Sequence, residues 1–305
     1  MSRVYVAGSI NMDLVTRAHR HPRAGETVLG RGFATYPGGK GANQAVASAK
    51  LGAQTIMLGK VGTDAFGDQA RRFLHGQGVK VDYVQRTGDA PTGVALIVVS
   101  DSGENSIVVV PGANGLLGPG DVEVAPVEKG DVVVSQFEIP LATIERLFTR
   151  CRTVGATTIL NPAPGRACSP DLLALANVLI LNETEIAFFL GVDRIDLSSL
   201  DAVATAANRL RAHPEQVLVA TLGVRGVLAT VGERRVSIPG RRVKAIDTTG
   251  AGDSFTGATA ARLAAGCTLE SALAYANAAA SICVQRQGAG PSMATAEEVE
   301  ALVAG

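Results

Sequence analysis

Neither sign of charge is in excess: the 305 residues carry 28 Lys and Arg against 28 Asp and Glu, for a formal net charge of +0. Binders of nucleic acid or of anionic membranes normally show a basic stripe, so neither partner is expected. Cysteine is scarce. Cys151, Cys168, Cys267 and Cys283 form no C-x-x-C pair and no metal spacing, which leaves buried free thiols in a reducing cytoplasm as the expected state. No apolar run is long enough to span a bilayer. The opening "MSRVYVAGSINMDL" is broken by Asn11 and Asp13, unlike the apolar region of a signal peptide. The chain reads as soluble and cytoplasmic.

Common catalytic signatures are missing as well. No G-x-G-x-x-G occurs, which weakens a nicotinamide-dehydrogenase reading, and H-E-x-x-H and G-x-S-x-G are absent too. The glycines around Lys40 do not make a Walker A loop. Gly41 follows Lys40 where Ser or Thr is needed, and Ala34 stands where the first glycine should be. The four histidines are scattered, and His19 and His21 lie in a basic loop that suits solvation.

What is present describes one large α/β domain covering residues 1–305, with 47% hydrophobic and 18% charged residues. Apolar β-branched runs ("VYVAGS", "TIMLGKVG", "DVVVSQ", "TTILN", "VLILN", "QVLVATLG") alternate with helical patterns. Continuously apolar strands between helices imply a mostly parallel sheet covered on both faces, a three-layer α/β/α sandwich. Two stretches break the rhythm. Residues 13–36 are dotted with Gly and Pro, and 92–114 holds two β runs joined by "SDSGEN", a hairpin pattern. Together they predict a small antiparallel lid outside the main sheet.

Ligands of parallel sheets gather beyond the carboxyl ends of the strands. The strand exits here carry Asn11 and Asp13, Glu138, "NPAPGR", "NETE" and "TLGVRG". Asn, Asp and Glu on converging loops suit a polyhydroxylated ligand, although each loop alone is also an ordinary turn. Gly223 and Gly226 would allow close backbone approach to something flat or anionic. "DTTGAGDSF" (Asp247 to Phe255) leads into a helix of small residues. Asp253 there has two readings: a helix cap, or a proton acceptor beside a phosphate that sits on helix N–H groups.

"GGKGANQAVASAKLGA" and "DTTGAGDSFTGA" resemble the two signature regions of the ribokinase-like carbohydrate kinases. "GSINMD", "GETVLG", "TGVALI", "GENSIVVVPGAN", "NPAP", "NETE", "TLGVRG" and "GAGPS" extend the resemblance over the chain in order. "KGANQA" and Glu138 in "QFEIP" side with the ribose-phosphorylating branch rather than with the adenosine- or fructose-kinase branches. The resemblance implies ATP-dependent phosphorylation of D-ribose to D-ribose 5-phosphate. A kinase of another sugar or nucleoside, such as a deoxyribokinase, is the nearer alternative, and a sugar sensor without turnover the more distant one.

By the same resemblance Asp253 is the catalytic base, and Gly250, Ala251 and Gly252 form an anion hole. Asn11, Asp13, Gly39, Lys40, Asn43 and Glu138 match sugar-binding positions, with Asn11, Lys40 and Asn43 as donors. Asn182 and Glu185 match a magnesium and phosphate region, with Mg²⁺ held partly through water. Thr221, Gly223, Gly226 and Asn277 match the nucleotide pocket. With no tryptophan in the chain, adenine would lie between apolar side chains; Asn277 also reads as an interhelix amide. Asp247, Thr249, Cys283, Arg286, Gly288 and Ser292 match a K⁺ site, with Asp247 alternatively tying two loops together. A homodimer paired through the lids is implied.

Overall fold

The computed structural model describes residues 2–304. Strands β1 (Val4–Ala7), β2 (Asn11–Ala18), β3 (Gly30–Gly38), β4 (Thr55–Gly62), β5 (Lys80–Thr87), β6 (Gly93–Val99) and β7 (Asn105–Val110) fill the first part of the chain. The rest holds β8 (Val132–Gln136), β9 (Thr157–Asn161), β10 (Val178–Asn182), β11 (Val217–Thr221), β12 (Gly226–Val231) and β13 (Arg234–Pro239). Nine of them form one sheet in the order β13-β12-β11-β10-β9-β8-β1-β4-β5. It is parallel from β11 to β5, and β12 and β13 add an antiparallel edge.

Because successive side chains of a strand point to opposite faces, β1 splits between two cores. Val4 and Val6 join the helices Lys40–Lys50, Ala251–Ala264 and Leu269–Cys283 on one face. Tyr5 and Ala7 join the helices Leu141–Val154 and Leu200–Asn208 on the other. This is the three-layer sandwich expected from the apolar strands. No helix among the described residues is long and apolar enough to cross a membrane.

The chain runs outward from β1 to β4 and β5, then returns through β8 and builds the other half. The order therefore reverses between β1 and β8, and a crevice at the carboxyl ends is expected there. The lid grows from the same place. Its order is β3-β2-β6-β7; the first segment reaches a little further than expected, from Asn11 to Gly38, and the second falls a little short, from Gly93 to Val110. Each hairpin is antiparallel as predicted, but β2 and β6 pair in parallel at the centre. Two hairpins leaving the main sheet side by side meet through their first strands, which run the same way.

Small residues set how closely the helices pack. A Cβ on Gly257 would lie 2.7 Å from Ala47 Cβ and 3.1 Å from Ser48 N. The glycine thus lets the Ala251–Ala264 helix press against the Lys40–Lys50 helix, one turn beyond Asp253.

Candidate active site

The helix after "DTTG" starts at Ala251, and its N-cap is Gly250 at φ 79°. Asp253 therefore sits inside the first turn and does not cap it. Its carboxylate, 6% exposed, accepts instead from the neighbouring helix: Asn43 Nδ2 reaches Oδ2 at 3.0 Å and Gln44 Nε2 reaches Oδ1 at 3.0 Å. The capping reading is overturned. Burial pushes the acid above its ordinary value, while Lys40 and the two amides pull the other way.

The expected anion-hole residues Gly250, Ala251 and Gly252 fall in the same turn. The first N–H groups of a helix lack carbonyls within it. Here Ala251 N–H turns back to Thr248 O at 3.3 Å, and Ser254 N–H is the first to pair with the turn below it, at Gly250 O. A Cβ on Gly252 would meet nothing within 4 Å, because this glycine faces a cavity of about 540 Å³. Asn182, Thr221, Gly223, Gly226 and Asn277 also line that cavity, so five of the six expected nucleotide-side residues come together. Its apolar wall is Val224, Val227, Val243, Phe255 and Val284; apolar side chains were expected there, but sequence reasoning named none of them.

Three of these residues have a structural account as well. Asn277 Nδ2 donates to Pro239 O at 2.9 Å, so this amide ties its helix to the end of β13 and not to another helix. Gly226 is glycine because a Cβ would lie 2.7 Å from the Pro239 carbonyl carbon at φ 93°. Its own chain, not a ligand, is what it approaches. Asn182 and Glu185 form a capping box: Glu185 N–H donates to Asn182 Oδ1 at 2.8 Å, and Asn182 N–H to Glu185 Oε2 at 2.9 Å. The N-x-x-E spacing is a known helix-start signal that "NETE" already carried. Glu185 is pushed upward by burial, against Asn182 and Lys40.

On the sugar side, glycines bring backbone and side chains close. Gly39 at φ 91° would place a Cβ 2.8 Å from Asn11 N, and Gly41 would place one 2.6 Å from Ser9 N. The helix Lys40–Lys50 thus starts directly against the exit of β1. Glu138 Oε2 accepts from Ser9 Oγ at 2.5 Å and from Lys40 N–H at 3.2 Å. Asn114 Nδ2 donates to Asn11 Oδ1 at 2.7 Å, so Asn11 keeps its own NH₂ free to donate. Lys40 makes no ion pair among the described residues. Burial works to lower its pKa, and Asp253, Glu138 and Glu185 outweigh it, so the ammonium is held charged.

Asn43 departs from expectation: its NH₂ is engaged by Asp253, and its buried Oδ1 has no partner. What it leaves open is an acceptor. Asp13 accepts no hydrogen bond among the described residues, and its pKa is pushed up to about 7 by burial, Glu138 and Asp253. It opens on a second cavity of about 370 Å³ between the lid and residues Asp247, Thr249 and Gly288. Ser9, Gln44, Asn114 and Gln136 were missed by sequence reasoning. All four stand inside quoted motifs, but nothing local distinguishes them from packing residues.

Around Asp247, Thr249 N–H donates to Oδ1 at 2.9 Å and Gly288 N–H to Oδ2 at 3.0 Å. This is the loop-tying role. The carbonyls of Thr249, Arg286 and Gly288 nevertheless accept no backbone N–H among the described residues. The Cys283 carbonyl is taken by Arg286 N–H, and the Ser292 hydroxyl by Ala289 O at 2.6 Å. No group of three or more His, Cys, Asp or Glu that could hold a metal occurs among the described residues.

The model of the pfkB family carbohydrate kinases matches residues 1–296. The chain is 42% identical over 305 residues to a ribokinase of Bacillus subtilis, covering 99% of this chain and 100% of that protein. It is 35% identical to a deoxyribokinase of Salmonella typhi over 257 residues, 83% of each. A structure of Arabidopsis thaliana ribokinase complexed with ribose and ATP superposes with a TM-score of 0.88 at 33% identity, over 99% of both chains. The chain belongs to the pfkB family of carbohydrate kinases.

Proposed function

We propose that this protein is a cytoplasmic ribokinase, a single ribokinase-like domain that transfers the γ-phosphoryl group of ATP to the 5-hydroxyl of D-ribose. The observation that carries the reading is Asp253: a buried carboxylate on the first turn of a helix, gripped by Asn43 and Gln44 and next in the chain to Gly252, which lines the 540 Å³ cavity. Asp253 takes the hydroxyl proton as the oxygen attacks the γ-phosphorus and the bond to the β-phosphate oxygen breaks, releasing ADP. The N–H groups of Gly250, Ala251 and Gly252 and the helix dipole hold the negative charge that builds on the phosphoryl group. Asn11, Asp13, Gly39, Lys40, Asn43 and Glu138 hold the sugar, and Thr221, Gly223, Gly226 and Asn277 border the nucleotide.

The donor set near Asn182 and Glu185 suits a Mg²⁺ ion that keeps its waters and rides on the phosphates; bound there, it would neutralise phosphate charge. The test of the whole reading is a panel of pentoses, hexoses and nucleosides with ATP, scored for phosphorylated product. The deoxyribokinase relative favours 2-deoxyribose as the second reading, and the panel includes it.

Activity should also depend on a monovalent cation, K⁺ above Na⁺. The carbonyls of Arg286 and Gly288, that of Thr249, which accepts only from the Cys283 thiol at 4.0 Å, and the Asp247 carboxylate are oxygen donors that a large, weakly hydrated cation accepts. The ion would order the turn leading to Gly250–Gly252 without touching ATP, so kcat moves at least as much as KM. A roughly tenfold higher kcat in potassium than in tetramethylammonium chloride corresponds to about 1.4 kcal/mol of such ordering. The comparison is made at fixed ionic strength in potassium, sodium and tetramethylammonium chlorides for wild type and Asp247→Ala; equal wild-type rates in all three salts would refute the site.

The lid, within 13–36 and 92–114, is proposed as the dimer interface. Phe33 is 70% and Val108 60% exposed, and β3 and β7 are open sheet edges. A two-fold pairing would cover both. Sedimentation at micromolar concentration should give a dimer, and a fully active monomer would end this proposal.

A further inference from the structure

We infer that Gln44 is a positioning residue for the base, holding Asp253 Oδ1 so that Oδ2 is the atom that receives the sugar proton. The inference rests on the reading of Asp253 as base given above. Gln44 is wholly buried, and its orientation is imposed from behind: Gln136 Nε2 donates to Gln44 Oε1 at 2.6 Å. An amide oxygen only accepts and an amide NH₂ only donates. That bond therefore turns the Gln44 NH₂ toward Asp253 Oδ1, 3.0 Å away. Asn161 Oδ1 lies 3.4 Å from the same nitrogen, and its own NH₂ is fixed on Ile180 O at 2.9 Å.

β8, β9 and the Lys40–Lys50 helix are thus committed to aligning one amide. Gln44 and Gln136 have no exposed surface, so ligand contact does not account for them. Gln136 Oε1 is left without a partner, a cost to a buried polar group that follows from spending its NH₂ on Gln44. The two oxygens of Asp253 consequently differ. Oδ1 faces the amide chain from the sheet. Oδ2 faces Asn43, which shares a helix face with Lys40 three residues before it and has an acceptor to spare.

The charged and titratable groups that act on Asp253 are Lys40 on its helix, Glu138 after β8, Asp13 on β2, Glu185 on the helix Glu183–Leu190 and Cys283 on the helix Leu269–Cys283. All remain when Gln44 is changed. Gln44→Met removes the donor at nearly constant volume, and the acidic limb of kcat against pH should move up by about one unit. Turnover on the acidic side of the limb then drops roughly tenfold and recovers toward alkaline pH, with KM for ribose little changed. Gln44→Glu sets a second carboxylate against Oδ1 and should move the limb further. Gln136→Met frees the Gln44 amide to flip and should give a smaller shift in the same direction.

A wild-type limb in all three folded variants, or an equal loss of kcat at every pH, would overturn the proposal. Asp253→Asn serves as the reference. If it stays active, the base assignment itself fails. If it is inactive while the Gln44 and Gln136 variants keep the wild-type profile, only the positioning role fails.

Discussion

Asp253→Asn should lower kcat by about 10²–10⁴-fold, the range that general base catalysis supplies, while ribose binding changes little. The substitution keeps shape and removes the proton acceptor. It should also fold without difficulty. Gln44 Nε2 still finds an amide oxygen at Oδ1, and Asn43 can rotate its amide so that its unpartnered Oδ1 accepts from the new NH₂. The stability sign follows from linkage. Burial raises the folded-state pKa of Asp253, so the native state holds the proton over a range where the unfolded chain has lost it. Stability then falls as pH rises between the unfolded and folded values. Asp253→Asn escapes that loss, and its Tm should exceed the wild-type value at alkaline pH and converge with it in acid. Turnover measured beside ribose binding by calorimetry decides the matter: a variant keeping more than about a tenth of wild-type kcat removes Asp253 from the role of base. No recovery at high pH is expected, in contrast to the Gln44 variants.

The layers and the lid were legible in the sequence because apolar runs such as "DVVVSQ" and "TTILN" have no other use than a sheet covered on both faces. Helices such as Leu141–Val154 show their buried stripe, Ile144, Leu147, Phe148 and Cys151, at helical spacing. β5 was not legible: "KVDYVQRT" alternates between exposed and half-buried positions at the sheet edge, with only Val84 buried, and carries four charges or amides. The antiparallel β12–β13 edge was hidden because "TLGVRG" reads as a loop, whereas it folds β12 back on β11 at Gly226, and β13 follows after a turn at Gly232. In the site, residues at strand exits could be named because their position in the sheet predicts where ligands gather. Second contributors such as Ser9, Asn114 and Gln136 could not. Their importance comes from contacts 92 to 129 residues away in the chain, and single residues carry no trace of such pairings. The unpartnered Asn43 Oδ1 is likewise visible only once the Ala251–Ala264 helix is packed against it.

Ribose should be preferred over 2-deoxyribose by about 10²–10⁴-fold in kcat/KM, the spread between a partly solvated and a fully buried hydroxyl partner. The acceptor responsible is Asp13. Its carboxylate lies against Gly38, where a Cβ would fall 2.6 Å from Asp13 Cγ, and no donor among the described residues satisfies it. A vicinal diol supplies two O–H donors to two carboxylate oxygens; the 2-deoxy sugar supplies one and leaves the other oxygen desolvated and unpaired. The pKa of about 7 makes the preference depend on pH. Only the ionised carboxylate accepts from both hydroxyls, so KM for ribose should rise as pH falls through 7, by up to about tenfold per unit. 2-Deoxyribose, with one contact at stake, should respond less, and the discrimination should narrow in acid. The same raised pKa costs stability above it, so Asp13→Asn should melt higher than wild type at alkaline pH and lose that advantage below the unfolded-state value. Asp13→Ala should compress the ratio of the two sugars toward unity, mainly by harming ribose. Initial rates with both sugars across pH, for wild type and Asp13→Ala, are the measurement. Equal kcat/KM values in the wild type would reject Asp13 as the diol acceptor and favour a deoxyribokinase instead.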